Sequence, residues 1–124
     1  MEKILKVKPS LNINIKEFST QEELMKFIDD KYYSIGLDPH LPFLLIAANK
    51  EDQEKRIDFN TTLGRWDIFG TFYILGKESS GYIIGLSEKE IKLAIAKLNR
   101  ENIPEIIQTL KKGKNQKISI FQKF

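Results

Sequence analysis

The sequence predicts an α+β domain with a mainly antiparallel sheet, one early helix and two late helices. Three observations carry that expectation. Segments of strand character, one alternating strictly and one a short continuous apolar run, fill most of the chain before its last third. Helix-start signals stand at Ser19-Thr20, Ser87 and Asn102. The order of elements, strands first and a pair of helices last, does not alternate as a parallel βαβ sheet requires.

Ile4 to Lys8 and Leu11 to Lys16 read as two strands around a Pro9-Ser10 turn, the second with apolar residues at every other position. Ser19 or Thr20 caps a helix from about Gln21 to Asp30, with Glu22 and Glu23 at the third positions after them. Leu24, Phe27 and Ile28 form its apolar stripe. Tyr32 to Leu37 resembles a strand, broken by the Asp38-Pro39-His40-Leu41-Pro42 segment, and Phe43 to Ala48 has the length and composition of a buried strand. Asn49 to Lys55 is charged and lacks apolar periodicity, so it reads as a hairpin loop or exposed edge leading into a strand at Arg56 to Phe59. Asp67 to Gly76 is aromatic and β-branched and reads as one strand. A turn at Glu78 to Gly81 pairs it with Tyr82 to Leu86. Ser87 with Glu90 starts a helix whose apolar face is Ile91, Ala94, Ile95 and Leu98. Asn102 with Glu105 repeats the signal for a helix carrying Ile103, Ile106, Ile107 and Leu110 inward, and Lys117 to Phe121 reads as a last strand.

With 124 residues, residues 1–124 are expected to form a single domain, because two domains of half that size would bury too little apolar surface to offset backbone ordering. Hydrophobic residues at 41% supply a core, and no run approaches the roughly 20 apolar residues of a membrane span. The first residues interleave charge with apolar side chains and lack a secretory signal, so a cytosolic location is expected. The absence of cysteine removes disulfides, thiolate nucleophiles and cysteine-ligated metals. A net charge of +3, from 20 basic and 17 acidic residues, permits an anionic partner without requiring one.

Acid–base chemistry near neutral pH usually employs histidine, and His40 stands alone in a turn. Asp52, Glu54, Asp58 and Asp67 match no metal-loop spacing, and no glycine pattern forms a phosphate-binding loop. No catalytic set, metal or cofactor is therefore expected, and the chain reads as a binder rather than an enzyme. The candidate ligand-binding cluster runs from Asn60 to Tyr73. Arg65 offers a planar donor fork to phosphate, Trp66, Phe69 or Tyr73 a ring for stacking on a base, and Asn60 an amide for ribose or base edges. Taken one at a time, Trp66 and Phe69 read more readily as plugs of a core beneath a hairpin, with Arg65 capping its edge. Arg100, just before the helix start at Asn102, is a second anion candidate. The Lys111-Lys112-Gly113-Lys114 run reads as a solvated helix end, since no interleaved aromatics accompany it, and nucleic acid is not the expected partner.

Asn60-Thr61-Thr62-Leu63, then Asp67-Ile68-Phe69-Gly70-Thr71-Phe72-Tyr73-Ile74-Leu75-Gly76 and Leu86-Ser87-Glu88-Lys89-Glu90, resemble an uncharacterised domain family of phages and mobile elements, across roughly residues 28 to 98. Thr61 stands where that family often carries arginine, so no arginine chemistry transfers to it. In size, early strands, late helices and Lys/Ile-rich composition the whole chain also resembles the small phage and prophage Thoeris anti-defence proteins. That resemblance implies a sponge, which sequesters a cyclic ADP-ribose signal in the cytoplasm of a bacterial host without cleaving it. It also implies a homo-oligomer with pockets between subunits, adenine stacked on aromatic rings and pyrophosphate received by arginines. On it the ligand-binding residues are Asn60, Arg65, Trp66, Phe69, Tyr73 and Arg100. The alternatives are a protein-interaction inhibitor of a host enzyme and a small nucleotide hydrolase using carboxylates.

Overall fold

The computed structural model describes residues 1–38, 40–63 and 66–101, the last two by their backbone alone. In chain order the elements are β1 (Glu2–Lys8), β2 (Asn12–Phe18), α1 (Gln21–Ile28), β3 (Tyr32–Asp38), β4 (Leu41–Asn49), α2 (Lys50–Lys55), β5 (Phe59–Leu63), β6 (Trp66–Phe69), β7 (Phe72–Lys77), β8 (Ile83–Ile84) and α3 (Glu88–Glu101). The main sheet has the order β2-β1-β7-β4-β3, with β8 also paired to β7, and β5 and β6 form a separate two-stranded sheet. Every pairing among these strands is antiparallel. The fold is α+β, as the order of elements implied.

Period-two alternation sorts the central strands into two apolar faces. On one, Ile4, Ala47, Tyr73 and Leu75 pack against Leu24 and Ile28 of α1. On the other, Leu5, Val7, Leu44, Ile46, Phe72 and Ile74 pack against Ile91, Ala94 and Leu98 of α3 and against Leu63 and Ile68 of the β5–β6 hairpin. Phe72, Ile74, Leu75 and Leu44 have no exposed surface, and each such side chain contributes roughly 1.5–3 kcal/mol through burial. The sheet is thus the middle of three layers, with helix on one side and helix plus hairpin on the other. Its outer strand β2 is less covered: Ile15, which alternation places on an apolar face, is 53% exposed.

The helix starts follow their capping signals. Thr20 Oγ1 accepts the Glu23 amide at 3.1 Å, and Ser87 and Glu90 each accept the other's backbone N–H, at 3.2 and 2.8 Å. A 3-10 turn over Asp29–Lys31 follows α1 and leads into β3. The β1–β2 turn over Pro9–Leu11 carries Ser10 and Leu11 at positive φ.

Four expectations need correction or qualification. Asn49 to Lys55 is neither a loop nor an edge: α2 forms there because the Asn49 side chain caps it, accepting the Asp52 amide at 3.0 Å, with Glu51 and Asp52 in the first turn and Lys55 in the last. Arg56 to Asp58 is a turn, with Arg56 and Asp58 at φ 53° and 57°, and the strand begins only at Phe59. The segment Asp67 to Gly76 is two strands, since Gly70 at φ 71° turns the chain between β6 and β7. Tyr82 to Leu86 keeps only Ile83 and Ile84 as strand. The predicted Asn102 helix and the Lys117 to Phe121 strand lie outside the described residues.

Candidate functional site

The β5–β6 hairpin leans over the open end of the β3–β4 ladder. Its inner side carries Ile68 and Trp66, and the facing sheet presents Tyr33 and Ile35 from β3 and Ala48 from β4. Between them lies a cavity of about 340 Å³, a size at the small end of ligand sites, which run to roughly 300–1,000 Å³. Gln53 of α2, Ser34 and Asp67 complete the lining. The cavity is apolar at its floor and aromatic at its mouth.

Both aromatic residues are open to solvent. Trp66 is 54% exposed and Tyr33 43%, against the usual tendency of large rings to be covered. Tyr33 is held from two sides: its hydroxyl donates to Glu54 Oε1 at 3.3 Å, and the Lys50 ammonium lies 5.5 Å from its ring centre. Asp67 accepts a hydrogen bond from the Thr62 hydroxyl at 2.7 Å on the hairpin's other side. The Gln53 amide is engaged with backbone, donating to Asn49 O at 3.1 Å and Phe69 O at 2.7 Å while accepting the Phe69 amide at 2.9 Å. Chemically, such a space suits a flat, weakly polar group that can lie against a ring.

Of the residues singled out from the sequence, Trp66 lines this cavity. Phe69 sits half-buried at the base of the hairpin, its ring 5.7 Å from Phe59 and beneath the Arg56 guanidinium at 5.2 Å. Asn60 is buried, and its Nδ2 ties the hairpin to its surroundings by donating to Val7 O at 2.9 Å and Gly70 O at 2.8 Å. Tyr73 lies on the opposite face of the sheet, under α1, edge-on to Phe27 at 5.1 Å. Burial, and then the neighbouring Tyr32, holds the Tyr73 hydroxyl above its ordinary pKa. The sheet therefore separates Tyr73 from Trp66. Arg65 lies outside the described residues, and Arg100 is described only as a backbone position near the end of α3.

Tyr33, Ile35 and Gln53 did not stand out in the sequence. The Tyr32-Tyr33 pair carried a readable signal: adjacent strand residues face opposite sides, so two tyrosines in a row cannot both enter one core. Gln53 was hidden because α2 has no buried residue and so no apolar period. Its only signal was Asn49 followed by acidic residues and then Lys55.

No group of three or more His, Asp or Glu among the described residues is arranged to hold a metal ion, and no described helix is long and apolar enough to cross a membrane. Comparison with protein-family models, curated proteins and solved structures found no match for the chain.

Proposed function

We propose that this protein binds and sequesters a nucleotide-type signal of the cyclic ADP-ribose class without cleaving it, in the cytoplasm of a bacterial host. The observation that carries the reading is the cavity of about 340 Å³ with Trp66 and Tyr33 at its mouth. A purine presents a flat face of the size and polarity this space accepts, and base–aromatic stacking contributes about 1–3 kcal/mol per base. Arg65, the residue before Trp66 in the chain, supplies the guanidinium for pyrophosphate in this reading, with Arg100 as the second cation. The ligand class comes from the resemblance to Thoeris anti-defence proteins, as does assembly into a homo-oligomer. A sponge needs tight, reversible binding and no reaction, so its site requires shape and complementary charge rather than a nucleophile or general base.

Calorimetry with a panel of cyclic ADP-ribose isomers tests the reading, followed by heat release and mass analysis of the bound compound. The expected outcome is saturable binding of at least one isomer, recovered chemically unchanged, and a loss of about 5- to 150-fold in affinity for Trp66→Ala. Absence of heat with every isomer rejects the ligand class, and recovery of a cleaved product replaces sequestration with hydrolysis.

A second reading has one observation of its own. Among the described residues β3 is an outer strand of the main sheet, and three of its residues line the cavity, an arrangement that suits strand addition by a partner protein. Recovery of a host enzyme in stoichiometric amount, with no small ligand retained, is the result that favours it.

A further inference from the structure

Among the described residues the β5–β6 hairpin shares no strand pairing with the main sheet. Its position over the β3–β4 floor is therefore not fixed by a ladder of backbone hydrogen bonds, and the width of the cavity depends on individual ties. We propose that Gln53 is a positioning residue of this cavity, setting where the Trp66-bearing hairpin stands relative to the Tyr33 wall. The functional weight of this role rests on the cavity being the ligand site, but the role itself does not.

Gln53 stands on α2, which begins at the residue immediately after β4 ends, so its backbone moves with the cavity floor. Its side chain reaches the last residue of β6 and engages both main-chain groups of Phe69: Oε1 accepts the amide at 2.9 Å and Nε2 donates to the carbonyl at 2.7 Å. The second Nε2 proton goes to Asn49 O at 3.1 Å, where β4 passes into α2. One side chain thus joins the floor strand to the hairpin strand that carries Trp66 three residues earlier. Both amide protons are committed, so Gln53 offers none to a ligand despite lining the cavity. It acts through the hairpin.

The pairing needs a donor and an acceptor on the same planar group at this reach. A glutamate has the shape and can accept the Phe69 amide, but its second oxygen then faces the Phe69 carbonyl, two acceptors in contact. Protonation restores a donor there. Glu at this position should release the hairpin when ionised and recapture it when neutral, a behaviour that simple loss of packing does not produce.

Trp66 is the sole tryptophan, so a 5-fluorotryptophan label gives one ¹⁹F resonance at the cavity mouth. The wild-type signal is compared with Gln53→Glu and with Gln53→Met, which keeps the volume and loses the amide. At about pH 7 both variants are expected to show a displaced or broadened line. On acidification to about pH 4.5, towards the ordinary glutamate range, only Gln53→Glu is expected to move back towards the wild-type line. Lines that superimpose on the wild type at neutral pH in both variants overturn the inference, as does a displaced Gln53→Glu line with no recovery on acidification. Should Gln53→Glu fail to fold, a Gln53→Met line matching the wild type overturns it and a displaced one upholds it. This readout uses no ligand, so it stands apart from the nucleotide reading. If a cyclic ADP-ribose isomer binds the wild type, Gln53→Met is expected to weaken it about tenfold.

Discussion

Asn60 shows how one side chain can look like a ligand contact and behave as a structural tie. Its Nδ2 satisfies two backbone carbonyls, one at the end of β1 and one at the Gly70 turn, and the residue is only 8% exposed. Its Oδ1 is buried with no hydrogen-bond partner among the described residues. Asn60→Ala removes that orphan acceptor but strips both carbonyls of their donor, and the second effect dominates because each buried unpaired group costs about 1–3 kcal/mol. The expected net loss is about 2 kcal/mol, read as a lower urea midpoint at unchanged slope. An unchanged midpoint together with weaker ligand binding shows instead that Asn60 contacts the ligand. Gly70 nearby has a requirement of its own: at φ 71° with the Asp52 carboxylate 2.5 Å from where a Cβ would stand, the turn into β7 admits no larger residue without strain.

At the scale of elements, the starts of α1 and α3 are legible in the sequence and strand limits less so. The Ser87–Glu90 box is reciprocal, and the helix it starts carries Ile91, Ala94 and Leu98 into the core, so a local cap positions a tertiary surface. Ser87→Ala is expected to lower stability by about 1 kcal/mol, with Ser87→Thr retaining most of it, both measured by chemical denaturation. No change in the alanine variant would mean that packing of α3 alone holds its first turn. α2 gives no such signal, because a helix with no buried residue has no apolar period. Residues Asp67 to Gly76 resemble one continuous strand in sequence because β-propensity does not register the bend that positive-φ Gly70 places between β6 and β7.

Across the whole molecule, the layers are joined by a partly buried ion pair as well as by apolar contact. Lys97 on α3 lies 2.9 Å from Asp38 at the end of β3, each side chain only 12% exposed. Burial alone pushes the Asp38 carboxyl up, but the His40 amide and the Lys97 ammonium outweigh it and hold its pKa below the ordinary value of 3.8. The sign follows from linkage. A depressed folded pKa contributes stability that is present above the unfolded pKa and is lost as pH falls through the folded one, here below about pH 4. Lys97→Met removes the cation while burial remains, so the Asp38 pKa should rise and acid unfolding should begin at higher pH. Carboxyl ¹³C titration alongside an acid-unfolding curve checks both. An Asp38 titration unmoved by the substitution rejects the pair as the link between α3 and the sheet edge.

The sequence by itself determined the class of fold, the alternating central strands, two capped helix starts and the lack of thiol chemistry, because these are set by local spacing and residue type. It also singled out Trp66, which lines the cavity. Only the tertiary structure decided that Tyr73 and Trp66 lie on opposite faces of the sheet, that Asn60 spends its donors on backbone, and that Tyr33 and Gln53 join Trp66 around one cavity. The physical reason is that these relations depend on how a hairpin leaves one sheet and docks on another. That docking is fixed by side chains distant in sequence, Gln53 to Phe69 and Asn60 to Val7, which no periodicity records.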